Sequence, residues 1–387
     1  MPGWDVAIVG AGAAGLMCAL TAGQRGRRVL LLDHASEPGA KILISGGGRC
    51  NFTNTGCAPD RFISQNPRFC RSALDRYTPD DFIVMVQRHG IAFHEKTLGQ
   101  LFCDGSARAI VAMLMKECQD AGVTFGLGQT VTALEKSGTF HIETSHGTIA
   151  ADSLVLATGG LSIPKLGATG FAYDAARRLG LRVTETRPGL VPLTVGGEDL
   201  TLMSSLAGVS MDTSVRHGQQ QFREAALFTH RGLSGPAILQ ISSYWHSGPI
   251  ELNLLPDHDA AALLLDRKRK RPKAELPTIL SELLPRRLIQ ALNFPSTRIA
   301  DMPDRALKDI AARLQAWSVI PTGTEGYAKA EVTAGGIDTR GLSSKTMQAT
   351  IVPGLFAIGE AVDVTGWLGG YNFQWAWASG WCAGQAV

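Results

Sequence analysis

The chain has 387 residues, 45% of them apolar, and a formal net charge of only +3. That length supports two or three domains with full hydrophobic cores, and the small charge speaks against nucleic-acid binding driven by a basic surface. The seven cysteines, an odd number without a CxxC pair, argue against a zinc site and a secreted disulfide framework.

A reducing, cytoplasmic setting is therefore expected. No apolar stretch approaches bilayer-spanning length, and no basic region precedes the first apolar run, so neither a membrane span nor a signal peptide is expected. One basic run, "DRKRKRPK" at 266–273, reads as the solvated end of a helix.

The first unit is "WDVAIVGAGAAGLMCALTAGQRGRRVLLLDH". An apolar run at 6–9 predicts a buried parallel strand, a helix follows over about 13–25, and a second strand ends at Asp33. Gly10, Gly12 and Gly15 form GxGxxG at the turn: the first permits the turn, the second lets backbone approach a pyrophosphate, the third lets helix pack on strand. Ala13 and Ala14 open the helix, whose N–H groups and partial positive charge suit phosphates. Asp33 stands at the spacing of an acid that accepts hydrogen bonds from an adenosine ribose. Strand, glycines, helix, strand and acid in this order predict a dinucleotide site.

Next comes "KILISGGGRCNFTN" at 41–54. Gly46, Gly47 and Gly48 cannot be an ordinary helix interior, and they predict backbone packed against a ligand. Helical periodicity follows at 79–89 and at 106–121, the latter with Ser106 as a plausible cap. Short strands come next, ending in "SLVLA" and Thr158-Gly159-Gly160, where bare backbone again meets a sheet's carboxyl edge. From about 190 the texture changes to strand-like "VPLTV", "VSMDTSV", "FREAALFTH" and "IELNLL", with helical stretches at 257–268, 277–292 and 304–316. Near 330 the first texture returns. The expected organisation is a discontinuous α/β, Rossmann-type dinucleotide-binding domain over 1–190 and 327–387, with an inserted domain, part β and part helical, over 191–326.

GxGxxG with its acid fits NAD or FAD, and the last segment separates them. In "GLFAIGEAVDVTGWLGGYNF" a strand ends at Gly359-Glu360, with Asp363 just beyond, a pattern that brings a carboxylate to the ribityl and phosphate region of FAD. Gly369-Gly370-Tyr371-Asn372, with Phe373 next, opens a helix whose donors suit the flavin N1 and C2 carbonyl, where charge collects on reduction. A β-carbon at either glycine is expected to push the ring away. FAD is the expected cofactor.

These motifs, with "LATGGLSIPKLGATGFAYDAARRLG", "FTHRGLSGPAIL" and "TAGGI", resemble the bacterial YhiN-like flavoproteins, a group also labelled NAD(P)/FAD-dependent oxidoreductases or aminoacetone oxidase family FAD-binding enzymes. The flavoprotein BaiN is similar. The resemblance runs from the first strand to the last helix and implies a two-part Rossmann-type FAD-binding domain of the glutathione-reductase class, interrupted by an insert with a β-barrel and helices. It also implies that Gly46–Asn51, hence Arg49, Cys50 and Asn51, passes beside the FAD, with Thr53 and Asn54 as further polar contacts and Lys41 close by. The ribose acid here is Asp33, where relatives often have Glu.

Cys50 and Cys57 have six residues between them, which disfavours a preformed redox pair, and a nucleophile would need a base or a lowered pKa. Cys50 reads as a small residue in a crowded loop. In the insert, the resemblance turns the loop at Thr229–Gly232 toward the flavin. His230 would then exchange a proton with substrate and Arg231 bind its oxygen; a structural brace is the equal alternative.

Asn372 is the third candidate catalytic residue. The expected reaction is hydride transfer between FAD and a small organic substrate, with NADH or NADPH as transient donor and an activated double bond reduced. A flavin oxidase using oxygen and a tRNA-modifying flavoprotein are the alternatives. No nucleic-acid partner and no metal are expected, and the oligomeric state is left open.

Overall fold

The computed structural model describes residues 3–387. They fall into two compact units, Met1–Arg187 with Val332–Val387, and Pro188–Glu331.

The first unit is built on a mixed sheet. Strand β1 (Trp4–Val9) leads through the glycine turn into helix α1 (Ala13–Gln24) and strand β2 (Val29–Asp33). The sheet order is Thr124–Leu127, β2, β1, Gly147–Leu156, Thr139–Thr144, Val131–Ser137, with Leu355–Ala357 also on Gly147–Leu156. The pairings of β1 and β2 and the one to Leu355–Ala357 are parallel, whereas residues 131–151 form an antiparallel meander. Parallel strands buried on both faces need continuous apolar runs, which "AIV" and "VLLL" supply.

The C-terminal helix, Tyr371–Gly384, packs on α1, and glycine makes that approach possible. A Cβ on Gly380 would sit 2.5 Å from the Ala14 oxygen, and one on Gly384 would sit 2.6 Å from the Thr21 Cβ. Both contacts advance in the same direction, so the helices run parallel. Because the C-terminal helix starts nine residues before Gly380 and α1 one residue before Ala14, its amino end stands about 12 Å beyond that of α1 at 1.5 Å per residue. Two positive helix ends therefore face the same way, staggered. Trp377 anchors this arrangement, stacked on Phe82 at 4.3 Å and donating from its indole N–H to the Phe52 oxygen at 2.8 Å.

The second unit carries a seven-stranded antiparallel sheet in the order 317–319, 250–253, 210–217, 220–229, 232–234, 193–194, 323–324. The helical stretch expected at 277–292 is two helices, Leu276–Leu280 and Arg286–Ala291. Pro285 breaks it, since proline has no N–H to continue the ladder. Ser106, expected as a cap, lies one residue too early: Ala107 is the N-cap position of Arg108–Asp120, and the Ser106 hydroxyl accepts from the Arg108 N–H at 3.2 Å.

Candidate functional site

The amino end of α1 is shaped for a phosphate. Gly10 has φ +112°, and a Cβ there would lie 2.4 Å from the Ala157 oxygen; one on Gly15 would lie 1.9 Å from the Gly10 oxygen. Both glycines are required by protein packing. Over Gly12, by contrast, a Cβ would meet nothing within 4 Å. The first turn carries no acid and no side-chain cap, so the N–H groups at Ala13 and Ala14 keep their attraction for an anion.

Asp33 ends β2 with its carboxylate accepting from the Ala11 N–H (2.7 Å) and the Ala35 N–H (2.8 Å), which fixes it beside the glycine turn. Thr158 follows Gly147–Leu156 at the sheet edge next to Gly10, and its hydroxyl is buried without a hydrogen-bond partner. An orphaned hydroxyl beside an open phosphate turn is a group that a ligand would satisfy. The donor set fits the ADP half of FAD.

The glycine triplet separates into two roles. Gly46, Gly47 and Gly48 have φ of +56°, +67° and +84°. A Cβ on Gly46 would press on Phe102 (2.7 Å) and on the Asn51 nitrogen (2.9 Å), so packing excludes it. Gly47 faces open space and Gly48 nearly so, its nearest atom being the Leu43 oxygen at 4.0 Å. Arg49 is exposed. Cys50 is fully buried at φ +50°, and burial pushes its thiol up to about 12; the same cause takes Cys57 to about 12. Neither is a thiolate at neutral pH, and all seven cysteines are free of disulfides.

Lys41 projects from helix α2 (Ala40–Ile44) into a polar cluster that the sequence did not announce. Its ammonium donates to the Glu360 carboxylate (2.7 Å) and to the Ser162 hydroxyl (2.6 Å). Glu360 also accepts from the Ser162 hydroxyl (2.9 Å) and the Thr333 N–H (2.8 Å). Gly160 needs its missing side chain here, because a Cβ would reach Thr333 Oγ1 at 2.5 Å. Gly159, by contrast, has only Glu360 near, at 3.9 Å. Gly359 packs on Ala14, with a Cβ placed 2.8 Å from the Ala14 Cβ, which joins this cluster to the phosphate turn. Asp363 is buried, accepts from the Gln65 N–H at 3.0 Å, and has its carboxyl pushed above the usual range by burial.

At the C-terminal helix the expected reason for two glycines changes. A Cβ on Gly370 (φ +97°) would lie 2.4 Å from the Thr53 oxygen on strand β3 (Asn51–Asn54), and one on Gly369 would lie 2.9 Å from the Gln100 side chain. The protein itself, not a ring, fills the space beside them. Asn372 is a brace: its amide accepts from the Gly366 N–H (2.8 Å) and donates to the Gly366 (2.9 Å) and Trp367 (3.3 Å) oxygens.

Tyr371 is buried edge-on to Phe62, and Phe373 stacks on Trp377. Thr53 and Asn54, expected as FAD contacts, are engaged within the protein. Thr53 donates to Gln374 at 2.7 Å, and Asn54 donates to the Gly369 oxygen at 2.8 Å. Asn51 is buried, with a Gln100 contact at 3.3 Å. The first turn of the helix again holds no acid and no side-chain cap.

In the second unit, His230 and Arg231 form the exposed tip of a tight turn between Gln220–Thr229 and Gly232–Ser234. Ser204 donates to the His230 oxygen at 3.0 Å, the Arg231 N–H bonds Thr229 Oγ1 at 3.2 Å, and the guanidinium lies 3.9 Å from Glu325. The basic run is compensated by its neighbours. Lys268 pairs with Asp304, Arg269 and Lys270 with Asp266, and Arg267 and Arg271 with Glu282.

The family model described as the HI0933-like protein Rossmann domain matches residues 4–386. The chain belongs to that family. It is 51% identical over 396 aligned residues to the ribosomal RNA dihydrouridine synthase of Escherichia coli K12, with 100% of this chain and 98% of the relative covered. It is 29% identical to the 3-dehydro-bile acid delta(4,6)-reductase of Clostridium scindens, over 99% of this chain and 98% of that one.

Among solved structures, the 3-ketosteroid-delta4-(5alpha)-dehydrogenase of Rhodococcus jostii RHA1 shares the fold, with a TM-score of 0.51 and 14% identity over 98% and 96% of the two chains. The family is one of Rossmann-type, FAD-dependent oxidoreductases, and this chain is an enzyme of that class. The name of the 51%-identical relative runs against the expectation that no nucleic acid is a partner. Among the described residues no helix is long and apolar enough to cross a membrane.

Proposed function

We propose that this enzyme is a reductase of carbon–carbon double bonds conjugated to a carbonyl, and that its substrate is a uridine of ribosomal RNA. The observation that carries the substrate is the 51% identity over the full length of this chain and 98% of the relative named for dihydrouridine synthesis. The bile-acid relative is named for a different molecule, yet both names describe saturation of a conjugated double bond. That reaction delivers hydride to the carbon β to the carbonyl and a proton to the α carbon. A nucleic-acid substrate is thus proposed in place of the small organic molecule expected from the sequence.

FAD, when bound, supplies the hydride, and NADH or NADPH is the proposed donor that restores it. We assign the turn at Gly12, the amino end of α1, Asp33 and Thr158 to the ADP half. Gly47 and Gly48 receive the flavin half on their open face, and the amino end of the C-terminal helix offers donors where charge collects on reduction. Lys41 and Glu360 hold the segments at 160–162 and 333 in register with the phosphate turn.

The test is an anaerobic titration with NADH and with NADPH, followed by ribosomal RNA from cells that lack the enzyme. Flavin bleaching by one donor, then dihydrouridine in the digested RNA, is the expected result; bleached flavin with unaltered RNA would overturn the substrate.

A further inference from the structure

The geometry points to a substrate-contact rim at the start of the C-terminal helix, in which Arg61, Trp367 and Leu98 hold the RNA bases flanking the reduced uridine. It rests on ribosomal RNA being the substrate.

Trp367 stands in the turn between the short strand Thr365–Gly366 and the helix at Tyr371. The Arg61 guanidinium carbon lies 4.4 Å from its ring centroid, and the Trp367 N–H donates to the Arg61 oxygen at 3.0 Å. Pairing of Thr365–Gly366 with Phe62–Ile63 fixes the backbone on both sides of this stack, and Asn372 locks the turn from the helix. A planar cation held on an indole is a flat, charged platform, suited to a base face and the phosphate beside it. The acid next to it, Asp60, is 3.7 Å from Nε, too long to occupy the donors of the fork.

Leu98 is tied to the same helix start through Asn54. It is 64% exposed and holds φ +50°, a backbone state that a leucine adopts only at a cost. The turn is pinned rather than loose. Buried Asn54 donates to the Leu98 oxygen (3.1 Å) and to the Gly369 oxygen (2.8 Å), and the Thr55 N–H donates to the Gly99 oxygen (2.9 Å). One buried amide thus ties an exposed, strained aliphatic tip to Gly369, the residue before the helix's N-cap. Stacking plane and apolar tip are thus both tied to the helix start, where we assign the flavin's electron-rich edge. RNA is favoured over a protein partner because the rim offers a platform and one tip, not a broad apolar face.

The experiment uses the full-length, FAD-loaded protein with Arg61→Lys and Leu98→Gly. The first keeps the charge and loses the plane; the second relaxes the backbone, so the fold should hold. Binding and modification are measured on ribosomal RNA that lacks dihydrouridine. Each variant is expected to raise Kd about tenfold, the scale of one lost stacking contact, with flavin content unchanged.

Wild-type affinity in both variants overturns the rim, and if dihydrouridine still forms, the substrate reading stands without it. Weakened binding with no dihydrouridine from any form keeps the rim and removes the reduction of uridine. A wild-type protein that neither binds nor modifies the RNA overturns both.

Discussion

Gly370→Ala separates what the protein demands from what a flavin demands. At φ +97°, alanine carries a backbone penalty of about 1–2 kcal/mol, and its Cβ would be built 2.4 Å from a backbone oxygen that cannot rotate away. Forced overpacking of this kind adds about 1–3 kcal/mol, for a total near 2–5 kcal/mol. The loss should appear in denaturant unfolding of the FAD-free protein, because the obstacle is Thr53 and not the cofactor. Gly47→Ala is the contrast: its Cβ meets nothing within 4 Å, so the FAD-free protein should lose only about 1–2 kcal/mol to the positive φ, while FAD affinity falls at least as much as stability. FAD-free Gly370→Ala as stable as the parent would refute this division.

Asp33→Ala should weaken FAD binding by about 1–3 kcal/mol, the cost of losing a charge-assisted acceptor, and unchanged flavin retention on dialysis would remove Asp33 from the ribose. Cys50→Ser should keep flavin and turnover, since a thiol pushed up to about 12 does no nucleophilic work at neutral pH; loss of turnover with FAD bound would reinstate a thiol mechanism. Burial raises the Asp363 carboxyl in the folded state, so folding favours its protonated form. Its stabilising contribution is therefore full below the unfolded carboxylate range and is lost as pH rises through the folded value. FAD-free Asp363→Asn should unfold at higher denaturant than the parent at pH 7 and lose that advantage in acid; an advantage constant with pH would contradict the sign.

Much of the first unit was legible because its signals are local. GxGxxG between two apolar strands and an acid at the second strand's end are patterns that lie within about thirty residues of chain. Gly12 and Gly47 both face open space. The reason for Gly370 was not legible. Its neighbour Thr53 is more than three hundred residues away in sequence, and only the fold brings the two together.

The cluster of Lys41, Ser162, Thr333 and Glu360 failed to register for the same reason, although Thr333 and Glu360 sit inside quoted motifs. Asn372 illustrates the opposite error. Its position at the helix start was read correctly, but its amide is consumed by Gly366 and Trp367, which no spacing rule reveals. Leu98 carries no motif at all; its strained backbone is visible only in three dimensions.

The central claim is tested most directly by mixing the anaerobically reduced protein with ribosomal RNA lacking dihydrouridine, following the flavin's visible absorbance. The account predicts that the RNA reoxidises the flavin, with one dihydrouridine formed per flavin reoxidised. Flavin that stays reduced with the RNA, yet is reoxidised by oxygen or by a small conjugated ketone, would contradict it.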